Sequence, residues 1–148
     1  MKNSGTPIQH TDRWSAEGLL GLELQSTKDL VASIIRGLPV ECLETCATNS
    51  GLAIDALARV VGLHPAKLAR RKAKGRLTYV ESDHMVSLAR TLACVINVFF
   101  GDKASAAKWF ITPSPALGNI TPLQITRTHA GCRAVETVIG RLEHGVFN

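Results

Sequence analysis

The sequence predicts an all-α protein, and three observations support that expectation. Apolar residues recur at spacings of three and four, as in Met85, Leu88, Leu92, Val95 and Phe99. Helix start and stop signals bracket these runs: Pro39, Pro65, Thr78 with Glu81, Asp102 and Pro122 at starts, and Gly37, Gly75, Gly101 and Gly145 at ends. No stretch alternates with period two over the length of a strand.

Taken in order, residues 1–26 are rich in polar and small side chains and read as an N-terminal tail, although Trp14 and the LLGLEL run from Leu19 are able to dock. Thr27 is expected to cap a first helix, with Asp29 in its first turn, Leu30, Val31, Ile34 and Ile35 on its apolar side and Gly37 as its stop. Pro39 then opens a second helix that reaches about Thr48, and Asn49, Ser50 and Gly51 turn the chain. A third helix covers about Leu52 to Val61 and a fourth Pro65 to Lys74. Thr78 and Glu81 form a capping-box pattern at the head of a long helix that Gly101 stops. Asp102 caps a helix through Trp109 and Phe110. TPSPALGNITP, with three prolines, is a rigid loop. Thr121 and Pro122 restart a short helix, and a last one runs from about Gly131 to Glu143 with Val135, Val138, Ile139 and Leu142 along one side.

Composition excludes several classes. With 148 residues, 45% apolar and 20% charged, the chain can build one domain or two small ones without disulfide staples. Its four cysteines are too sparse for a secreted scaffold, and the MKNSGTPIQH start has no apolar core of a signal peptide. The longest apolar run, near Val95 to Phe100, is interrupted by Asn97 and falls far short of the roughly 20 residues of a membrane span. The expectation is a cytoplasmic protein with reduced thiols and no membrane partner.

Charge is concentrated. Between Arg59 and Arg76 stand seven Lys or Arg residues and no Asp or Glu, so the net charge of +5 belongs to this stretch. Counterion release from a polyanion would drive binding to such a segment. Its apolar pattern is that of two short helices joined at a glycine, a helix-turn-helix. Ala58 lies four residues before Gly62, where helices cross closely, and Leu57, Val61, Leu63 and Leu68 supply the wedge. Pro65 suits the first turn of the second helix. Lys67, Arg70, Arg71 and Lys74 share a face of it; Lys67 and Arg70 are expected near base edges, and Arg71, Lys72, Lys74 and Arg76 near phosphates. One position departs from the usual pattern. Arg71 stands nine after the glycine, where an apolar residue is expected, so either Ala73 packs there instead or the helix is rotated. The same residues also suit a solvated basic face on a structural helical hairpin.

Little else suggests chemistry. Cys42 and Cys46 lie four apart on one helix, but no second Cys/His pair stands at ligand spacing, so two core thiols are expected rather than a metal site. His64 in the turn can cap the following helix or touch phosphate, and His84 and His129 carry no motif. No nucleophile motif or phosphate loop is present, so neither catalysis nor a cofactor is expected.

The C-terminal third resembles the toxin-binding domain of the MbcA/ParS/Xre antitoxins, which pair with RES-domain toxins. The matching residues are Trp109, then Pro113 to Gly118, then Thr121 to Leu123, Gly131, and Gly140 to Phe147. The preceding region, from GLP at residue 37 through ARTLA at residue 89, resembles the Xre-like helix-turn-helix half of such proteins. The resemblance implies a helix-turn-helix DNA-binding domain at 27–101 and a small helical toxin-binding domain at 102–148. It implies a non-enzymatic antitoxin that blocks the pocket of an NAD⁺-using toxin with its C-terminal end and represses its own promoter. Glu143, His144, Val146, Phe147 and Asn148 would form that tip, with the free α-carboxylate at a phosphate position and Phe147 as anchor. The same end can also fold back on its own core, and Trp109 suits either core or toxin interface. A homodimer is expected, because such repressors read palindromes with half-sites roughly 34–36 Å apart. A stand-alone regulator with another protein partner, and a small metal or thiol protein with an incidental basic patch, are the competing readings.

Overall fold

The helix opened by Thr78 is the axis around which the others pack. The computed structural model describes residues 14–143. They form α1 (Ala16–Leu20), α2 (Thr27–Arg36), α3 (Glu41–Ser50), α4 (Ile54–Val60), α5 (Pro65–Lys74), α6 (Tyr79–Val98), α7 (Lys103–Phe110), a 3₁₀ turn at Pro115–Leu117, α8 (Pro122–Ile125) and α9 (His129–Glu143). Among the described residues there is no strand, only isolated bridges pairing Pro39 with Arg76 and Ser114 with Ile120. The chain is all-α, as its patterning predicts.

The start of α6 is fixed by a complete capping box: the Glu81 N–H donates to Thr78 Oγ1 at 3.2 Å, and the Thr78 N–H donates to Glu81 Oε1 at 2.9 Å. The sequence shows one apolar stripe on this helix, whereas the structure buries it on nearly every side. Val86, Ala89, Ala93 and Ile96 are buried as well as Met85, Leu88, Leu92 and Val95. The reason is position, since α1, α2 and α3 pack against α6, and so do α7 and α9. Its buried hydroxyls are satisfied: Ser82 Oγ accepts from the Leu38 N–H at 2.8 Å, and Thr91 donates to the Ser87 carbonyl at 3.1 Å. One apolar core runs from Leu19 to Ile139, so the two halves share a centre.

The tail expected at 1–26 needs correction over its second part, while residues 1–13 lie outside those described. Leu19 and Leu20 on α1 are fully buried. Ser15 caps α1, and the Asn97 side chain grips the Trp14 backbone by both its N–H (3.1 Å) and its carbonyl (3.0 Å). A helix of five residues has no stability of its own, so packing against α3 and α6 must hold it, and that leaves no periodic signal.

Smaller adjustments are local. Ser26, not Thr27, caps α2 through the Asp29 N–H. α3 starts at Glu41 rather than at Pro39, because Pro39 and its neighbours pair with the link after α5: Val40 N–H to Gly75 O (3.1 Å) and Leu77 N–H to Leu38 O (2.9 Å). α4 starts at Ile54, and α9 starts two residues early, at His129. In the C-terminal part, Asp102 caps α7 as expected, and Phe110 is buried. The Pro-rich loop closes on itself through Ser114 and Ile120 and inserts Leu117 into the core. A second capping box, Thr121 with Gln124, opens α8.

Candidate functional site

Two surfaces are built on this frame. The first is α4, its turn and α5. Leu57, Ala58, Val61, Leu63 and Leu68 are all buried between the helices, and Gly62 takes a φ of 81°, which a side chain rarely adopts. The chain re-enters at Pro65, the first residue of α5. His64 precedes it but makes no side-chain cap bond, so of its two expected roles the capping one is not filled.

The cations of α5 divide into three kinds. Arg70, Lys72 and Lys74 are exposed and Lys67 is half-buried; none of the four is ion-paired among the described residues. Arg76, past the end of α5, is exposed, yet its Nη1 donates to the Gly37 carbonyl at 2.7 Å. Arg71 differs from the expectation of a phosphate contact. It turns inward and forms a bidentate pair with Glu81, Nε to Oε1 at 2.7 Å and Nη2 to Oε2 at 2.9 Å. This accounts for the departure from the apolar pattern: a guanidinium stands nine after the glycine because a carboxylate from α6 meets it. Ala73, the expected substitute, is exposed. With Ala66 and Ala69 it leaves the outer face of α5 low around Arg70, a shape that lets a helix approach bases closely and contact thymine methyls.

Burial alone would raise the Glu81 carboxyl above its ordinary value, but hydrogen bonds from Arg71 and Thr78 and the Arg71 charge together hold it below. The hydrogen bond to Glu81 correspondingly raises Arg71. A carboxyl lowered by folding stabilises the fold above the ordinary value and loses that contribution as pH falls through the folded one. Glu81→Gln should therefore melt several degrees lower at neutral pH, leaving a half-withdrawn guanidinium without its counter-charge. The gap from the native protein should narrow as pH falls below the ordinary 4.5. Thermal melts across pH check this, and a gap independent of pH would contradict it.

The second surface lies around α7, the Pro-rich loop and the end of α9. Trp109 is half-buried and meets Phe110 edge-on, with ring centroids 6.0 Å apart. Glu143 is exposed at the last described position. His144, Val146, Phe147 and Asn148 lie outside the described residues. Phe100, Ile111, Ile120 and Leu142 are exposed apolar side chains of this half; Leu142 stands on the apolar side read from the last helix, and no periodicity in the sequence singles out the other three.

The remaining candidates are structural. Cys42, Cys46, Cys94 and Cys132 are free thiols, all raised by burial, Cys46 to about 12. No described group of three or more His, Cys, Asp or Glu residues is placed to hold a metal ion. His84 and His129 stitch α6 to the C-terminal part, through the Thr126 carbonyl at 2.8 Å and Ser87 Oγ at 2.9 Å. No helix among the described residues is long and apolar enough to cross a membrane.

Comparison with known proteins follows the same division. Residues 29–90 match the antitoxin Xre-like helix-turn-helix domain. Residues 96–145 match the antitoxin Xre/MbcA/ParS C-terminal toxin-binding domain. A relative named antitoxin Xre from Yersinia enterocolitica is 32% identical over 130 residues, 87% of this chain and 88% of its own length. Another of the same name from Photorhabdus laumondii is 31% identical over 142 residues, 95% of this chain and 94% of its own. The chain belongs to the Xre antitoxin family. This Xre-type antitoxin therefore consists of a helix-turn-helix domain and a toxin-binding domain. Both matches enter α6, one ending at Arg90 and the other beginning at Ile96, so the axial helix is common to the two.

Proposed function

We infer that this Xre-type antitoxin neutralises a RES-domain, NAD⁺-degrading toxin and represses its own operon. In this reading Glu143, His144, Val146, Phe147 and Asn148 block the toxin's active site, with Trp109 at the edge of the contact. Lys67, Arg70, Lys72, Lys74 and Arg76 bind promoter DNA. Arg71 acts on DNA only indirectly, by holding α5 against α6. The observation that carries the reading is the match of residues 96–145 to a toxin-binding domain whose last helix ends in an exposed Glu143, the first residue of the tip. The protein works in the cytoplasm as a homodimer without a cofactor. Exposed Val31 and Ile35, one turn apart on α2, and Tyr79 and Val80 at the head of α6 supply apolar surface for a two-fold contact.

The test is co-expression with a RES-domain toxin. Deleting Gly145 to Asn148 should abolish rescue of growth and co-purification of toxin while duplex binding persists. Full rescue by the shortened chain would refute the tip mechanism. Absence of any complex with a RES toxin would favour a stand-alone regulator.

A further inference from the structure

A groove of about 560 Å³ opens between the helix-turn-helix turn and α8, beside the cations of α5 named above. Ala56, Val60 and Leu123 form its apolar floor. Arg59 from α4, His64 from the turn and Arg127 just beyond α8 line it as exposed side chains. No carboxylate lines it, and among the described residues neither arginine is ion-paired. Arg59 also lines a smaller depression of about 230 Å³ between α4 and α5, which Lys72 shares. Basic groups thus run from the recognition helix across Arg59 to Arg127, with Asp55 as the one acid, on the α5 side.

We propose that this groove holds a backbone phosphate of the duplex that α5 reads, so that the toxin-binding domain supplies Arg127 to the DNA interface. The inference rests on the DNA-binding reading above. In a helix-turn-helix the first helix crosses the sugar–phosphate backbone, and here that helix ends beside Arg59. Two guanidiniums from different domains that line one groove without a counter-charge suit a phosphate.

The test is salt-dependent fluorescence anisotropy of the full chain with a mixed-sequence duplex of about 30 base pairs, three helical turns. Losing one phosphate contact lowers the slope of log K against log salt by about 0.9 and weakens binding roughly five- to tenfold near 0.1 M salt. Arg127→Gln should show both effects, and Arg127→Lys should retain most of the slope. Lys74→Gln serves as the internal reference. If Lys74→Gln lowers the slope and Arg127→Gln does not, the groove assignment fails while α5 binding stands. If wild type itself shows no salt-dependent binding, the underlying DNA reading fails. Titration with ATP and inorganic phosphate separates the other source of phosphate: Arg127-dependent binding of either, with an unchanged duplex slope, would overturn the assignment to DNA. Arg127 has no ion pair among the described residues, and an unchanged melting temperature confirms that any loss is not unfolding.

Discussion

Gly131→Ala should lower the melting temperature by roughly 6–10 °C, corresponding to about 3 kcal/mol for a chain of this size. The sign is the informative part. In an open helix a Gly→Ala change gains up to about 1 kcal/mol, because alanine loses less backbone freedom. Gly131 sits in the first turn of α9, where an added Cβ would run into the backbone carbonyl oxygen of Ile125 at the end of α8. That oxygen has little room to retreat. The next residue, Thr126, is buried, and its carbonyl is held by His84 at 2.8 Å. The corner must open, and the toxin-binding half should lose its partner with it. Gly140→Ala, on the same helix with nothing within 4 Å of its Cβ, should instead melt at or above the native temperature. Circular dichroism melts of the two variants decide the matter. Equal stabilisation by both would mean that α8 and α9 are not closed as described.

Gly37→Ala should be comparably severe in the other half. Gly37 has a φ of 89°, which costs an alanine roughly 1–2 kcal/mol, and its Cβ would meet the Leu77 carbonyl oxygen. Both chain segments at this crossing are tied. Leu77 N–H donates to Leu38 O, Leu38 N–H donates to Ser82 Oγ, and Arg76 reaches the Gly37 carbonyl. Separating them moves the link that ends α5, so duplex binding should weaken along with stability, in total by about 3 kcal/mol in a denaturant melt. An unchanged midpoint in urea, or lost stability with intact duplex affinity, would show that the crossing does not position α5.

The contrast between what the sequence disclosed and what it concealed follows from range. Pro65 and Gly75, the Thr78–Glu81 box and Asp102 specify their helix ends by chemistry within four residues: α5 begins and ends accordingly, and α6 and α7 begin accordingly. α1 carries its information only in what it packs against, so five residues of it read as tail. Helix-face arithmetic treats α5 as isolated and assigns Arg71 outward. Glu81 draws it inward across a turn, and spacing on one helix cannot register that. The same holds for the groove. Arg59 and Arg127 are far apart in sequence, and only the fold brings a charge from the sparsely charged C-terminal third beside the basic stretch.

The shared α6 has a consequence for the life of the molecule in the cell. A protease that clips away either half would strip the lining from the helix on which the other half packs, so neither piece should persist as a working remnant. Under the function proposed above, turnover should therefore end toxin binding and DNA binding together, leaving neither an orphaned reader nor an orphaned inhibitor.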